Sequence, residues 1–266
     1  MPKFQRAILT HGGAGSDPKD SDGPKSAANR GMDLMENGKT ALTAVVDAVK
    51  YLEDDPRFNA GLGSRLRADG RTIQLDASCM TSNNEFGAVA CVENIKNPID
   101  IAHGVLLHSP HILIVGDGAR IFAEEYHIPV ACLSVSDGKA MTGTSCDTVG
   151  AVAFDGTTFA AALSSGGLEG AALGRVGDVP MPGCGLYCGP LGAVACTGYG
   201  EFIALKILAK EVYTWLENSM SPDEATQKAL ALFDDSVDIG LIILTPNGFA
   251  SNARNCMAWS HITEMK

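Results

Sequence analysis

Apolar positions along the chain follow two spacings, one typical of buried strands and one typical of amphipathic helices. Residues 7–11 predict a buried strand that runs into a glycine-rich turn at 12–15. In residues 40–53, apolar side chains recur on one helical face, at Ala44, Val45, Ala48, Val49 and Leu52. Further strands are predicted at 72–79, 86–93, 112–115, 148–154, 158–163, 192–197, 239–245 and 248–252. Further helices are predicted at 24–37, 98–107, 117–126, 201–217 and 222–234.

The predicted strands dominate the middle of the chain, and the predicted helices flank them. This order indicates an α+β fold in which helices cover both outer faces of two stacked, largely antiparallel sheets, a four-layer αββα sandwich. No internal repeat or low-complexity segment divides the sequence, so a single domain is expected over residues 1–266.

The pattern changes abruptly near the middle of the chain. Residues 134–147 (SVSDGKAMTGTSCD) are small, polar and without apolar periodicity, which is typical of an exposed linker. The next residues, 148–154 (TVGAVAF), predict a central strand that is apolar on both faces. Thr148 therefore stands at the junction between a linker and a buried strand.

This junction suggests a specific chemistry for Thr148. A threonine hydroxyl is a weak nucleophile unless a neighbouring base takes its proton. If the bond between Asp147 and Thr148 breaks, the freed α-amine has a reference pKa of about 7.7–8.0 and can act as that base. Taken alone, Thr148 is also explained as an ordinary strand residue, because threonine suits strands by its shape.

The predicted hairpin supplies a geometric expectation. Asp155 and Gly156 are a strong two-residue turn signal, which would pair Phe154 with Thr157. Counting outward places Thr148 opposite Leu163. Two serines follow Leu163 at the same end of the hairpin, Ser164 and Ser165, so a serine hydroxyl is expected within hydrogen-bonding reach of Thr148.

Composition narrows the classes of partner. The formal net charge is -11 and the sequence pI is about 4.9, so nucleic acid and anionic membranes are not expected partners. The first residues contain no apolar signal core, and a cytoplasmic location is expected. The eight cysteines lack the paired spacing of a zinc site, which favours free thiols.

Several motifs, in this order and with similar separations, resemble the plant-type asparaginase and isoaspartyl peptidase family of N-terminal nucleophile hydrolases. The resemblance covers nearly the whole chain, from the opening His11-Gly12-Gly13-Ala14-Gly15 to the last strands. The most specific motifs are Asp147-Thr148-Val149-Gly150-Ala151-Val152, Gly174-Arg175-Val176-Gly177-Asp178 and Cys196-Thr197-Gly198-Tyr199-Gly200-Glu201. Phe58-Asn59-Ala60-Gly61-Leu62-Gly63 and Leu75-Asp76-Ala77 also fit.

The resemblance implies how the chain would bind and attack its substrate. It implies self-cleavage after Asp147, giving pieces 1–147 and 148–266, with Thr148 as the nucleophile. Arg175 would bind the α-carboxylate of the substrate, because a planar guanidinium suits a carboxylate. Asp178 would pair with the α-ammonium. Substrates would be β-aspartyl dipeptides and asparagine.

The resemblance also implies supporting roles. Thr197 and Gly198 match the oxyanion hole, through a hydroxyl and a backbone N–H. Gly198 and Gly200 match positions close to the substrate, and Asn59 matches a residue that supports the nucleophile. Read without the family, Arg175 and Asp178 are equally a surface ion pair in a turn, and Thr197 and Gly198 a strand end.

The remaining implications concern ligands and assembly. The segment from Leu52 to Leu62 resembles a loop whose backbone carbonyls hold a structural sodium ion, with ligands at Leu52, Glu53, Phe58, Ala60 and Leu62. No organic cofactor is expected. The family implies a dimer of heterodimers, each heterodimer formed by the two pieces of one chain.

Two alternatives stay open from the sequence. Ser164-Ser165-Gly166-Gly167 replaces the usual Ser-Thr-Gly-Gly of asparaginases, and both the serine pair and residues 259–264 (WSHITE) resemble taspases, threonine endopeptidases that cut after aspartate. Asp178 argues against this alternative, because an endopeptidase substrate has no free α-ammonium to pair with it. The second alternative is an uncleaved, inactive protein that only binds ligands.

Overall fold

The computed structural model describes residues 3–133 and 148–266. The strands of these segments are β1 (Phe4–Ala14), β2 (Leu75–Thr81), β3 (Phe86–Val92), β4 (Leu113–Val115), β5 (Val149–Phe154), β6 (Phe159–Ser165), β7 (Leu186–Gly189), β8 (Gly192–Gly198), β9 (Ile239–Thr245), β10 (Gly248–Ala253) and β11 (Met257–Met265). The α-helices are α1 (Asp22–Glu36), α2 (Ala41–Glu53), α3 (Pro98–His108), α4 (Asp117–Glu125), α5 (Gly200–Lys206), α6 (Leu208–Glu217) and α7 (Pro222–Leu230). Short 3-10 helices lie at Pro18–Ser21 and Gly61–Gly63.

The strands form two sheets. The larger sheet has the strand order β11-β1-β5-β6-β2-β3-β4, and the smaller has the order β10-β9-β8-β7. Neighbouring strands are antiparallel except for the parallel pair of β3 and β4. The predicted mixture of helices with two largely antiparallel sheets is therefore confirmed. No helix of the described residues is long and apolar enough to cross a membrane.

Three apolar clusters fill the interior. The first joins the larger sheet to α1, α2, α3 and α4, and the third joins the smaller sheet to α6 and α7. The second cluster lies between the sheets and includes Leu9, Val152, Leu163, Ala195 and Ile242. Successive side chains of a strand point to opposite faces. Because Val149 joins the helix-side cluster and Val152 the cluster between the sheets, Thr148 faces the smaller sheet.

The first strand is longer than the pattern predicts, and it includes the residues expected to form a turn. The Phe58 ring packs against Gly12 so closely that a Cβ there would lie 2.3 Å from Cε1 of the ring. Glycine at this position therefore lets a buried aromatic ring pack on the strand, which continues to Ala14 with an irregular register after His11.

The predicted helix over residues 201–217 is wrong as one element, because it is broken into α5 and α6. Ile207 lies between them with φ 47°, in the left-handed region. The break lets the first turn of α6 donate backbone hydrogen bonds outside the helix. Ala209 N–H donates to the Cys184 carbonyl at 3.1 Å, and Lys210 N–H donates to the Gly183 carbonyl at 2.9 Å. These bonds join α6 to the segment before β7. The apolar pattern predicted neither β7 nor β11.

The predicted register of the β5–β6 hairpin is wrong by two residues. Phe154 lies opposite Phe159, and Val149 lies opposite Ser164. The physical reason is the Asp155 carboxylate, which accepts hydrogen bonds from the backbone N–H groups of Thr157 at 2.9 Å and Thr158 at 2.8 Å. These bonds stabilise a four-residue loop over residues 155–158 in place of the predicted two-residue turn. Continuing the observed register places Thr148 opposite Ser165 rather than Leu163.

Candidate active site

Thr148 lies at the start of β5, between the two sheets, and is only 4% exposed. Its hydroxyl donates to Ser165 Oγ, with 3.1 Å between the oxygens. Its backbone nitrogen donates to Thr197 Oγ1 at 3.3 Å. Both polar atoms of the predicted nucleophile are therefore held by hydroxyl side chains, one from each sheet. Asp147, the other side of the predicted cleavage site, lies outside the described residues.

Thr197 reaches the site from β8 of the smaller sheet and is fully buried. Its Oγ1 accepts from Thr148 N–H at 3.3 Å and from Ala14 N–H at 3.0 Å. A hydroxyl has two acceptor lone pairs and one donor proton. Because both of these contacts use acceptor capacity, the Thr197 proton is available to donate to a third group, which is what an oxyanion-hole hydroxyl must do.

Ser165 links the nucleophile to the turn that follows β6. Its Oγ accepts from Thr148 Oγ1 and also from the backbone N–H of Gly167 at 3.0 Å. The same turn is fixed from the other side by Asn59, whose Nδ2 donates to the Gly167 carbonyl at 2.7 Å. The backbone carbonyl of Asn59 accepts a hydrogen bond from the Gly166 N–H at 2.9 Å. Asn59 therefore holds the turn that follows Ser165, the hydrogen-bond partner of Thr148.

Ser165→Ala removes the hydroxyl that accepts from Thr148 and leaves the nucleophile free to change rotamer. We expect the variant to lower the turnover number by about tenfold, in line with the loss of a hydrogen bond of about 1–1.5 kcal/mol. Ser165→Thr is the matched control, because it keeps the hydroxyl. Steady-state assays in which Ser165→Thr and Ser165→Ala lose activity equally would contradict this role for the hydroxyl.

A narrow cleft opens beside Thr148. Its walls come from the sheet–sheet interface and from the irregular segment between β6 and β7. The predicted site residues that line it are Thr148, Ser165, Arg175, Asp178, Gly198 and Gly200. Residues from separate parts of the chain thus meet in one cleft.

The Arg175 guanidinium lies in the wall of this cleft and is held by Glu201, at the start of α5. Nε donates to Glu201 Oε1 at 2.8 Å, and Nη2 donates to Oε2 at 2.7 Å. The Arg175 side chain is 14% exposed, whereas Glu201 is half exposed. Burial opposes the charge on Arg175, but the Glu201 hydrogen bonds prevail, and the pKa of Arg175 is raised. The guanidinium therefore stays charged in a fixed orientation.

Asp178 is the second charged group of the cleft and is only 3% exposed. Its Oδ2 has no hydrogen-bond partner among the described residues. Burial raises the pKa of Asp178 to about 7, although the nearby Arg175 charge opposes the shift. A buried carboxyl oxygen without a partner carries an unfavourable desolvation energy, which a cationic ligand would relieve.

Gly200 lets these two charged groups share one space. A Cβ built on Gly200 would lie 2.8 Å from Asp178 Oδ1 and 2.9 Å from Arg175 Nη2. Any larger residue would therefore push into the carboxyl group or the guanidinium. Gly198, at the end of β8, has φ 135°, a conformation that L side chains rarely adopt.

Asp76 in β2, to which the motifs assign no role, also lines the cleft and is 1% exposed. The available signal was an acid in the middle of a predicted buried strand, a position that charged residues seldom occupy without a partner. His11 is also fully buried, and burial lowers its pKa to about 3 despite the opposing effect of the Thr148 backbone. His11 is therefore a neutral imidazole beside the nucleophile strand.

A threonine hydroxyl between two sheets, beside a fixed guanidinium and a buried carboxyl group, defines a hydrolase-like cleft for a small zwitterion. The sequence profile of a family described as asparaginase matches residues 4–136 and 132–265. The chain belongs to this asparaginase family.

Known relatives are similar over most of their length. A plant-type L-asparaginase of Pyrococcus horikoshii is 34% identical, and the alignment covers 97% of this chain and 96% of that protein. An isoaspartyl peptidase/L-asparaginase of Xenopus laevis is 36% identical, with 97% of this chain and 92% of that protein covered. The isoaspartyl peptidase/L-asparaginase of Rattus norvegicus is also 36% identical, over 91% of this chain and 80% of that protein.

Proposed function

We propose that the protein hydrolyses β-aspartyl dipeptides and asparagine, as an isoaspartyl peptidase and L-asparaginase. The observation that carries the proposal is the buried Asp178 carboxyl group, with an unpartnered Oδ2 among the described residues, beside Arg175 in the cleft that holds Thr148. Membership of the asparaginase family and the names of the relatives support the same activity.

Binding uses the two charges of the cleft. The α-carboxylate of the aspartyl group pairs with Arg175, and the α-ammonium pairs with Asp178. These contacts fix the free end of the substrate and direct its side-chain carbonyl towards Thr148. Placing the reacting atoms at contact distance supplies much of the rate acceleration in such enzymes.

Maturation of the chain precedes catalysis. The chain is made as a precursor, and the peptide bond between Asp147 and Thr148 breaks by self-cleavage. The Thr148 nitrogen then becomes an α-amine, and its hydrogen-bond partner Thr197 Oγ1 is already in place at 3.3 Å. The neutral amine can take the proton from its own Oγ1.

Turnover then proceeds by acyl transfer. Thr148 Oγ1 attacks the side-chain carbonyl, and its proton passes to the α-amine. The Thr197 hydroxyl and the Gly198 N–H stabilise the oxyanion of the tetrahedral intermediate. The intermediate collapses as the leaving amine takes the proton, which gives an aspartyl ester of Thr148. Water, deprotonated by the same α-amine, hydrolyses the ester and releases aspartate.

The activity is tested by incubating matured protein with a β-aspartyl dipeptide, with asparagine, and with an unfolded protein that contains internal aspartates. We expect release of aspartate from the first two and no cleavage of the third. Cutting after internal aspartates would support the taspase alternative instead. Asp178 opposes that alternative, since its charge would be left buried without a cationic partner.

Two groups of the free enzyme set the acid side of the pH profile, the Asp178 carboxyl group and the Thr148 α-amine, whose reference pKa is about 7.7–8.0. Below a pH of about 7 the Asp178 carboxyl group is neutral in the empty cleft, and above that pH it is the carboxylate that binds an ammonium. We expect kcat/KM for a β-aspartyl dipeptide to rise with pH through about 7, because kcat/KM reports the ionisations of the free enzyme. A profile that falls over this range in rate measurements between about pH 5 and 9 would contradict the assignment.

The proposal extends to the whole assembly. The contacts of α1 to α4 with the larger sheet, and of α6 and α7 with the smaller, support a four-layer αββα sandwich of the N-terminal nucleophile hydrolase type. We propose that the two pieces of the cleaved chain stay together and pair with a second copy. The buried Cys79, Cys188 and Cys196 are free thiols, and we propose a cytoplasmic location.

The chemistry proposed here uses only side chains and backbone, without an organic cofactor. The loop after α2 supports the sodium site proposed for it. A Cβ on Gly61 would lie 2.3 Å from the Glu53 carbonyl oxygen, and one on Gly63 would lie 2.0 Å from the Phe58 carbonyl oxygen. The two glycines thus let backbone oxygens crowd into one turn, and oxygen ligands suit a hard cation.

A further inference from the structure

The recognition residues of the cleft sit on a segment without regular secondary structure, so something else must fix their position. Arg175 and Asp178 lie between β6 and β7, in a stretch of turns and bends. Irregular segments are held by side-chain contacts to the rigid elements beside them. The neighbouring element here is β2, through the side chains of Gln74 and Asp76.

Gln74 holds the segment just before Arg175. Its Oε1 accepts from the backbone N–H of Gly174 at 2.8 Å, and its Nε2 donates to Glu93 Oε1 at 2.8 Å. The Gln74 carbonyl also accepts from Nη2 of the buried Arg67 at 2.7 Å. The residues before Arg175 are therefore tied to the residue that immediately precedes β2.

Asp76 holds the segment on the other side of Arg175. Burial raises the pKa of Asp76, but the backbone N–H groups of Cys91 and Gly177 and the charges of Arg67 and Arg175 oppose that shift. The Cys91 N–H donates to Asp76 Oδ1 at 2.9 Å. Gly177 is the residue immediately before Asp178, so the carboxylate lies against the backbone of the segment that it would anchor.

The backbone of β3 is distorted where it meets Asp76. Leu75 lies opposite Val92, but Ala77 lies opposite Val89, so β3 has one extra residue at this point. Cys91 has φ 52° in this bulge, a conformation that costs free energy for a residue with a side chain. The distortion directs the Cys91 N–H to the Asp76 carboxylate. The hydrogen bond to this carboxylate therefore offsets the free-energy cost of the strained backbone.

We propose that Asp76 is a positioning residue that anchors the segment carrying Arg175 and Asp178 to β2, and that it places a second acid in the cleft beside Asp178. The inference about the ligand rests on the proposed function. Two acidic side chains and one guanidinium then line the cleft. Such a cleft binds a substrate that bears both an ammonium and a carboxylate more tightly than one that bears either group alone.

The charged groups around Asp178 determine in which direction its pKa changes when Asp76 is replaced. Asp178 is faced by Arg175, which lowers its pKa, and by Asp76 and Glu201, which raise it. The thiols of Cys184 and Cys196 also lie near Asp178 and respond to its charge. Removing the Asp76 charge therefore lowers the pKa of Asp178. A side chain that served only to hold the fold would have no such effect.

Asp76→Asn is the test variant, because it keeps the shape and removes the charge. For a β-aspartyl dipeptide we expect KM to rise about tenfold with kcat changed less than about threefold, since a hydrogen bond to a charged group is lost. We also expect the acid limb of kcat/KM to move to lower pH. Gln74→Ala is the matched control, which loosens the same segment without removing a charge and should raise KM without moving the limb.

A second readout separates this proposal from the proposed function. The Asp178 carboxyl carbon can be titrated by NMR in the matured protein without substrate, and its signal identified by its loss in Asp178→Asn. We expect a lower midpoint in Asp76→Asn and the wild-type midpoint in Asp76→Glu. An unchanged midpoint in Asp76→Asn, or a lowered one in Asp76→Glu, would overturn the proposal. A wild-type protein that hydrolyses no dipeptide would overturn only the proposed function.

Discussion

Thr148→Ala should leave the chain uncut and abolish hydrolysis of β-aspartyl dipeptides, with a loss of at least about 10⁴-fold in kcat, as is found when a catalytic nucleophile is removed. The reason is that one residue supplies both the attacking hydroxyl and, once freed, the α-amine that takes its proton. Alanine keeps the backbone nitrogen that donates to Thr197, but it has no oxygen to attack a carbonyl. Intact-mass spectrometry and aspartate release measure the two effects on one sample.

Thr148→Ser is the control for this experiment, because it retains a hydroxyl and loses only a methyl group. We expect it to cleave and turn over more slowly than the wild-type protein, but measurably. Hydrolysis that persists in the Thr148→Ala variant would remove Thr148 from the mechanism. It would direct attention to Ser165, whose hydroxyl lies 3.1 Å from that of Thr148.

Asp178→Asn should weaken dipeptide hydrolysis far more than self-cleavage. The substrate ammonium would lose its only carboxylate partner in the binding scheme, and removing one member of a buried charge pair costs about 2 kcal/mol or more, at least about 30-fold in kcat/KM. The precursor has no free ammonium at this position, so the rate at which it cuts itself should change little. Steady-state kinetics on matured enzyme and a time course of precursor cleavage give the two rates.

The control for this variant is Asp223→Asn, in α7 on the smaller sheet. It removes the same charge far along the chain from the cleft residues and should leave both rates unchanged. If Asp178→Asn slows maturation and turnover by the same factor, Asp178 holds the fold of the cleft and does not recognise substrate.

The spacing of apolar residues predicted the helices and strands better than the turns and breaks between them. The apolar face of α2 is an intrinsic property of its sequence, and the helix forms where the pattern places it. The hairpin register depended instead on three hydrogen bonds that the Asp155 carboxylate accepts from residues of the turn. The error in register placed Leu163 opposite Thr148, whereas the motif already indicated Ser165 as the partner of the nucleophile, and the two hydroxyl oxygens lie 3.1 Å apart.

The site residues were predicted through their motifs, because no local pattern brings residues 148, 165, 178 and 197 together. Their meeting depends on the packing of the larger sheet against the smaller one. Asp76 shows the limit of this approach. Its motif was noticed, but its position in the cleft follows from a bulge in β3 that gives Cys91 a left-handed backbone, and nothing in the sequence marks that bulge.

The most direct test of the account is the intact mass of the purified 27.7 kDa chain after prolonged incubation, followed by sequencing of the new N-terminus. The account predicts two fragments, one ending at Asp147 and one starting at Thr148, that appear together with dipeptide hydrolysis. A single uncut mass in protein that hydrolyses the dipeptide, or fragments that start at any residue other than Thr148, would contradict it.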